Sequence, residues 1–271
     1  MAKRTPSAVG GGSVDFWRMV LMSDSITRAD VLLGQIDRDA VPKHIAVIMD
    51  GNGRWAQKRR LSRVKGHVAG AKIIRHLTNV CSDLGVKALT LYCFSTENWR
   101  RPMEEVGFLM RLIRGYLVEQ AADMVKEGVR LTAIGDLAEL PEEVRRELER
   151  VTELTKDCDK INLNLALNYG GRDEILHAVR RAAEDVKNGV LDAADIDEAA
   201  FSRYLYTAGM PDPDLLIRTS GEIRLSNFLP WQTAYTEFYF TDINWPDFDD
   251  EALYGAILEY QRRHRRFGGI S

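Results

Sequence analysis

The feature that most constrains this chain is a rhythm. Short runs that are apolar almost throughout alternate with longer segments whose apolar residues recur at helical spacing. The runs are 44–49, 88–94, 129–134, 161–168, 214–218 and 235–240. Runs of that length suit strands, and a strand without polar alternation is one covered on both faces. Between them, 69–84 has near-helical spacing and stops at Gly85. Segment 102–127 opens with Pro102, Glu104 and Glu105 and ends before Gly128, as helix start and stop chemistry requires. A third helical segment, 175–188, ends before Gly189. This order predicts an α/β fold, a mainly parallel central sheet flanked by helices, with no internal repeat or interdomain linker.

Open parallel sheets bind ligands at the carboxyl ends of their strands. That rule works as a filter on this sequence. Asp50 follows the first expected strand, 95–99 follow the second, 168–172 the fourth and 218–226 the fifth. The unusual polar residues therefore converge where a ligand is expected.

The first of these stretches is DGNGRW, beginning at Asp50. Gly51 and Gly53 permit positive φ and close backbone approach to an anion. Neither common phosphate-loop pattern fits: position 56 is Ala where a third glycine belongs, and no Gly-Lys-Ser/Thr follows. Arg54, Arg63 and His67 add donors, and arginine suits bidentate phosphate contact. So much positive potential argues for a diphosphate. Asp50 would repel that anion unless a cation lay between them, and Mg²⁺ commonly shares carboxylates with phosphates. The same stretch also reads as a tight turn with solvated basic residues.

Three further stretches carry two readings each. In LYCFSTENWRRP, Glu97 and Asn98 either cap a helix or stand with Arg101 near reacting groups, with Phe94 and Trp99 as an apolar wall. In LLIRTSGEIRLSNF, Arg218, Arg224 and Ser226 either bind a second phosphate group or belong to a solvated loop with one ion pair. In YTEFYF, Glu237 lies among aromatics and must be ion-paired or bind metal. DFDDEAL lacks the last aspartate of an acidic metal box, since position 253 is Leu, and reads as the cap of a helix beginning near Glu251.

Composition sets the outer bounds. A net charge of −3 over 271 residues excludes nucleic acid as a partner suggested by overall charge. Cys81, Cys93 and Cys158 are too scattered for a disulfide framework or zinc site, which fits a reducing, cytoplasmic compartment. No apolar run approaches the roughly 20 residues of a membrane span. SAVGGGS near the start reads as a flexible leader.

Together, HIAVIMDGNGRWA, GHVAGA, LTLYCFSTENWRRP, LNYGGRDEI, DLLIRTSGEIRLSNFLPWQTAYTEFYF and WPDF resemble the cis-prenyltransferase family, most closely its bacterial undecaprenyl diphosphate synthases. The resemblance runs in uninterrupted order from about Pro42 to Gly269. It divides the chain into a partly flexible extension, 1–41, and a catalytic domain, 42–271. It implies a fold enclosing a hydrophobic tunnel, a homodimer, and repeated addition of isopentenyl diphosphate to an allylic diphosphate such as farnesyl diphosphate. The alternatives it leaves are a synthase of shorter products and a noncatalytic partner of the same fold. The presence of Asp50, Arg54 and Asn98 disfavours the latter.

Site residues carry over by position. Asp50 matches the catalytic aspartate that binds Mg²⁺. Gly51, Asn52, Gly53, Arg54, Trp55, Arg63 and His67 match the allylic diphosphate cradle. Ser95, Thr96, Glu97, Asn98, Trp99 and Arg101 match a motif tied to catalysis and isopentenyl binding, with Asn98 as its catalytic member. Arg218, Arg224 and Ser226 match the isopentenyl diphosphate site. Glu237 matches a carboxylate assisting the metal, partly across the dimer, and Arg266 and Gly268 match a C-terminal segment reaching a partner's site. Cys93 and Ile161 match positions that govern product length. The enzyme so described is cytoplasmic, with transient membrane-surface contact for product release.

Overall fold

The computed structural model describes residues 26–263. Six strands, β1 (His44–Ile48), β2 (Ala88–Ser95), β3 (Val129–Ile134), β4 (Ile161–Tyr169), β5 (Leu215–Arg218) and β6 (Glu237–Phe240), form one sheet. Its order is β3-β4-β2-β1-β5-β6, and every neighbouring pair is parallel. All five residues of β1 are buried. Ile45, Val47, Leu89, Leu91, Leu163 and Leu165 face one large core, while Ala46, Ile48, Ala166 and Leu216 face a smaller one built on Tyr169, Phe228 and Leu229. Two covered faces explain why the strand sequences lack polar alternation.

The helices are α1 (Arg28–Leu33), α2 (Asn52–Lys58), α3 (Arg63–Leu84), α4 (Met103–Glu127), α5 (Glu142–Leu154), α6 (Gly171–Lys187), α7 (Glu198–Ser202) and α8 (Asp250–Arg262). From β1 the chain passes to β2, then to the edge strand β3 and back to β4 between them, and later to β5 and β6 on the other side. The switch point therefore lies at β1 and β5, where Asp50 follows β1 by two residues and Arg218 ends β5.

Several boundaries differ from the sequence reading, each for a physical reason. Helix α3 begins six residues earlier than expected, so Arg63 and His67 are helical. Gly66 and Gly70 disguise this turn, because glycine is a poor helix former. They are needed there: a Cβ on Gly66 would lie 2.0 Å from the Asn52 carbonyl, and one on Gly70 2.4 Å from Asn52 Oδ1. Of the two glycines in DGNG, only Gly51 uses positive φ, at 97°. Gly53 is an ordinary helical residue of α2.

Helix α5, not anticipated, buries Val144, Leu148 and Val151 at helical spacing amid charged residues. Helix α8 opens as expected, with the Asp249 side chain accepting from Ala252 N. The extension drawn to residue 41 is folded from α1 onward, since Ala29, Leu32 and Leu33 pack on the main core and Ile36 and Val41 are buried in it.

Candidate active site

A cavity of about 610 Å³ opens at the carboxyl ends of β1, β2 and β5. Its polar lining comes from the segments that follow those strands: Asp50 and Asn52, then Ser95, Glu97, Asn98 and Arg101, then Arg218, Ser226 and Asn227. His67 of α3 adds one more polar group, and beyond these the walls are largely apolar. Ala71 and Ile74 come from α3, Leu109, Leu112, Ile113 and Tyr116 from α4, and Leu165 and Leu167 from β4. The shape suits a molecule with a charged head and a long apolar tail.

Asp50 and Arg218 form the centre of the mouth. Arg218 is 3% exposed, yet donates to Asp50 Oδ2 at 3.0 Å, to Ser226 Oγ at 2.7 Å and to the Arg224 carbonyl. Asp50 is held from the other side by the Gly51 N–H at 2.7 Å, with Arg54 Nη2 at 3.6 Å. The Asp50 carbonyl accepts from Thr219 Oγ1 and Trp245 N, fixing the loop after β1. Arg54 in turn donates to the Ser220 carbonyl at 2.6 Å and pairs with Glu222 at 3.0 Å.

Beside this centre lies a second recess of about 530 Å³, sharing Asp50 and lined by Gly51, Gly53, Arg54, Gln57, Arg60 and Arg63. The opposite rim is gathered by Glu105, which sequence reasoning missed. It takes Arg63 at 3.2 Å and Arg101 at 3.0 Å, and His67 Nε2 lies 3.6 Å away. Its position four residues after Arg101 was the available signal. Burial, with Arg101 and Arg63 adding to it against Glu105, lowers the His67 imidazole from 6.5 to about 4. His67 is therefore neutral near pH 7, with one N–H and one lone pair.

Ser95 and Asn98 form a reciprocal cap on the turn Thr96–Arg100, so the capping reading of that stretch holds. Ser95, Asn98 and Arg101 nevertheless line the cavity, so capping and lining coexist. Cys93 lines it because of a pair of irregularities in the β2–β4 register: Tyr92 opposes Ala166 but Phe94 opposes Leu167. The extra residue is Cys93, and Asn168 with φ 47° compensates on β4. Such bulges re-aim side chains beside active sites.

Other expected residues stand elsewhere. Trp55 lines neither cavity; its Nε1 donates to Asp247 at 2.6 Å and Arg59 stacks on its ring. Trp99 packs edge-on against Phe94 and donates to Asn168 Oδ1. Thr96 bonds Asp173 at 3.0 Å, and the exposed Arg224 pairs with Glu222. Ile161 does not line the cavity. It shares a face with Leu165 and Leu167 but lies four residues before Leu165, roughly 13 Å at strand spacing. Glu237, opposite Leu215, sits three residues back from the Arg218 level and pairs with Arg263 at 2.9 Å. Arg266 and Gly268 lie outside the described residues.

The lining includes three buried polar atoms that have no hydrogen-bond partner: Asn52 Oδ1, His67 Nε2 and Arg218 Nε. Buried polar groups are rarely left so, and these residues are poised for a polar ligand. Among the described residues no three His, Cys, Asp or Glu side chains gather as a metal cage. A Mg²⁺ ion usually takes one or two carboxylates plus phosphate oxygens. The partly exposed Asp50, set among arginines that attract a diphosphate, fits that ligand set.

Comparison with known proteins gives the family. A family model described as undecaprenyl diphosphate synthase matches residues 48–268. The isoprenyl transferase of Clostridium perfringens is 55% identical over 232 residues, 86% of this chain and 92% of that one. The isoprenyl transferase of Bacillus subtilis is 52% identical over 244 residues, 90% and 92% of the two chains. Among solved structures, lavandulyl diphosphate synthase from Lavandula x intermedia, in complex with dimethylallyl diphosphate, superposes with a TM-score of 0.83. It is 39% identical, with 85% of this chain and 99% of that chain covered. A probable undecaprenyl diphosphate synthase from Campylobacter jejuni superposes with a TM-score of 0.70 at 37% identity, covering 84% and 98%.

Proposed function

The chain belongs to the undecaprenyl diphosphate synthase family and is a cis-prenyltransferase, extending an allylic diphosphate with isopentenyl diphosphate; from that premise we propose how its residues divide the work. The allylic diphosphate lies over Gly51, Asn52, Gly53 and Arg54, within reach of Arg63 and His67, and its prenyl tail enters the apolar cavity. Isopentenyl diphosphate is held by Arg218, Ser226 and Arg224, beside Ser95, Asn98 and Arg101. Its π electrons form the new C–C bond as the allylic C–O bond breaks toward the departing diphosphate, and a proton is lost to give the new double bond.

Asp50 would hold Mg²⁺, and the ion would supply positive charge to the diphosphate oxygens. Arg54 and Arg218 stabilise the negative charge that develops as the C–O bond opens, and the cavity walls exclude water from the reacting carbon. Farnesyl diphosphate is the primer and undecaprenyl diphosphate the product. Cys93 influences product length from the bulge in β2.

The protein works as a homodimer. Glu237, paired with Arg263 in one chain, assists the metal partly across the dimer, and the segment carrying Arg266 and Gly268 reaches the partner's site. Product leaves through a transient contact with the membrane surface. Met103, 88% exposed, and the partly exposed Trp99 offer apolar surface beside the mouth in support of that contact. No helix among the described residues is long and apolar enough to cross a membrane.

The observation that carries this reading is the Asp50–Arg218 pair at the switch point, set at the mouth of an apolar cavity between α3, α4 and the sheet. Incubation with labelled isopentenyl diphosphate, farnesyl diphosphate and Mg²⁺ tests it. A Mg²⁺-dependent, organic-extractable polyprenyl product is expected, and its chromatography gives the chain length. A pure, folded, dimeric protein that incorporates no label overturns the reading in favour of a noncatalytic subunit.

A further inference from the structure

We infer that Asn227 is a positioning residue for isopentenyl diphosphate, locking the Arg218–Ser226 loop to the turn after β2 and to the first turn of α6. This rests on the assignment of Arg218 and Ser226 to that substrate. Asn227 ties its own loop to two other segments at once. Its Nδ2 donates to Glu97 Oε1 at 3.0 Å, its Oδ1 accepts from the Arg172 N–H at 2.9 Å, and its carbonyl accepts from the Gly171 N–H at 2.7 Å. Those segments are 130 and 55 residues away along the chain, so one side chain joins three separately folded pieces of the mouth.

The surrounding geometry is built around this junction. Ser226, Asn227 and Leu229 have φ values of 50°, 65° and 50°, a conformation L-residues resist and Asn tolerates better than most. Interactions outside the loop must therefore hold it. Tyr92, stacked on Phe228 at 4.4 Å, reaches the Ser226 carbonyl at 3.4 Å. Gly170 lets the pieces meet: a Cβ there would lie 2.4 Å from Asp173 Oδ2, 2.7 Å from Thr96 Oγ1 and 2.9 Å from Asn227 Nδ2.

Glu97 then has a role different from substrate contact. Burial alone would raise its carboxyl, but hydrogen bonds from its own backbone, Asn227 and Ser95 outweigh that and keep it below the ordinary carboxylate value. It is an ionised acceptor for the Asn227 amide, and a charge-assisted bond of this kind is stronger than a neutral one. Through it, the strained Ser226 loop and the Ser95–Asn98 turn move as one unit.

The test exploits donor and acceptor polarity. Asn227→Asp keeps the shape and the acceptor for Arg172 N, but sets a carboxylate against Glu97. Near neutral pH it should raise the KM for isopentenyl diphosphate roughly tenfold, the loss of one charge-assisted bond, and leave that for farnesyl diphosphate nearly unchanged. Asn227→Asp with Glu97→Gln restores the bridge with its polarity reversed, and should recover most of that loss. Asn227→Gly, which accepts the positive φ but has neither side-chain bond, should resemble Asn227→Asp.

Equal KM values for Asn227→Asp and the double variant, or equal rises for both substrates, overturn the inference. Melting is followed on every protein; failure of both Asn227→Asp and Asn227→Gly to fold makes Asn227 a folding residue and also overturns it. A parent protein that incorporates no label sinks the functional reading itself. A normal parent with an unmoved Asn227→Asp sinks this inference alone.

Discussion

Arg218 and Arg224 flank the same loop and are both assigned to isopentenyl diphosphate, yet the structure predicts different consequences for removing them. Arg218 is 3% exposed and makes three donations, one of them to Asp50. Arg218→Ala deletes a buried cation, leaves Asp50 with the Gly51 N–H at 2.7 Å and the Arg54 guanidinium at 3.6 Å, and opens space under the loop. Breaking a buried pair costs about 3–5 kcal/mol, and the lower end applies here because Asp50 is 31% exposed and stays partly solvated. A loss of about 3 kcal/mol lowers the melting temperature of a domain this size by roughly 6–12 °C. Turnover falls as well, because Asp50 loses its position.

Arg224 is 58% exposed and pairs with Glu222 in the same loop. Arg224→Ala should melt like the parent and raise the KM for isopentenyl diphosphate about tenfold. Arg218→Lys should regain little, since an ammonium cannot serve Asp50, Ser226 and the Arg224 carbonyl in the guanidinium's planar fork. The assays are calorimetric melting and initial rates with each substrate varied in turn. If Arg218→Ala melts with the parent, or if the two alanine variants lose stability equally, the distinction between a buried organising arginine and an exposed binding one is wrong.

Three further outcomes follow from the geometry. Asp50→Ala should abolish most turnover while circular dichroism stays native; near-parent turnover at saturating substrates and Mg²⁺ would remove Asp50 from the chemistry. Cys93→Leu places bulk in the cavity and should shorten the products, whereas Ile161→Ala, at a buried position outside the lining, should cost about 2–5 kcal/mol and leave the product ladder unchanged; a shift with Ile161 and none with Cys93 would reverse this map. His67 has its folded-state pKa lowered to about 4 from 6.5, so the unfolded chain binds more protons between those values. Its contribution is complete above about pH 6.5 and is lost toward pH 4, by about 3 kcal/mol at most. His67→Gln should flatten that part of the acid limb, and an unchanged slope in denaturant titrations would place the imidazole in a different environment.

Much of the fold was legible in the sequence because burial on two faces leaves a mark there. A strand such as HIAVI can lie only in the middle of a covered sheet, and the rule that ligands gather at strand ends then selects Asp50, Ser95–Asn98 and Arg218 without further information. Local chemistry likewise marked the ends of α4 and the cap of α8. What the sequence left undecided was every property that depends on contact between distant segments. Gly66 and Gly70 look like interruptions of a helix until Asn52 is seen against them. Trp55 and Glu237 lie in motifs shared with the site, but the tertiary packing ties them to Asp247 and Arg263 instead. Cys93 reaches the cavity only through a bulge, and a bulge follows from the register of two strands. The spacing from Arg101 marked one partner of Glu105, but its contacts with Arg63 and His67, and those of Asn227 with Glu97, Gly171 and Arg172, came only with the fold. Periodicity records which faces of an element are buried; which partners meet across those faces is settled by chain topology, and no single segment of the sequence contains it.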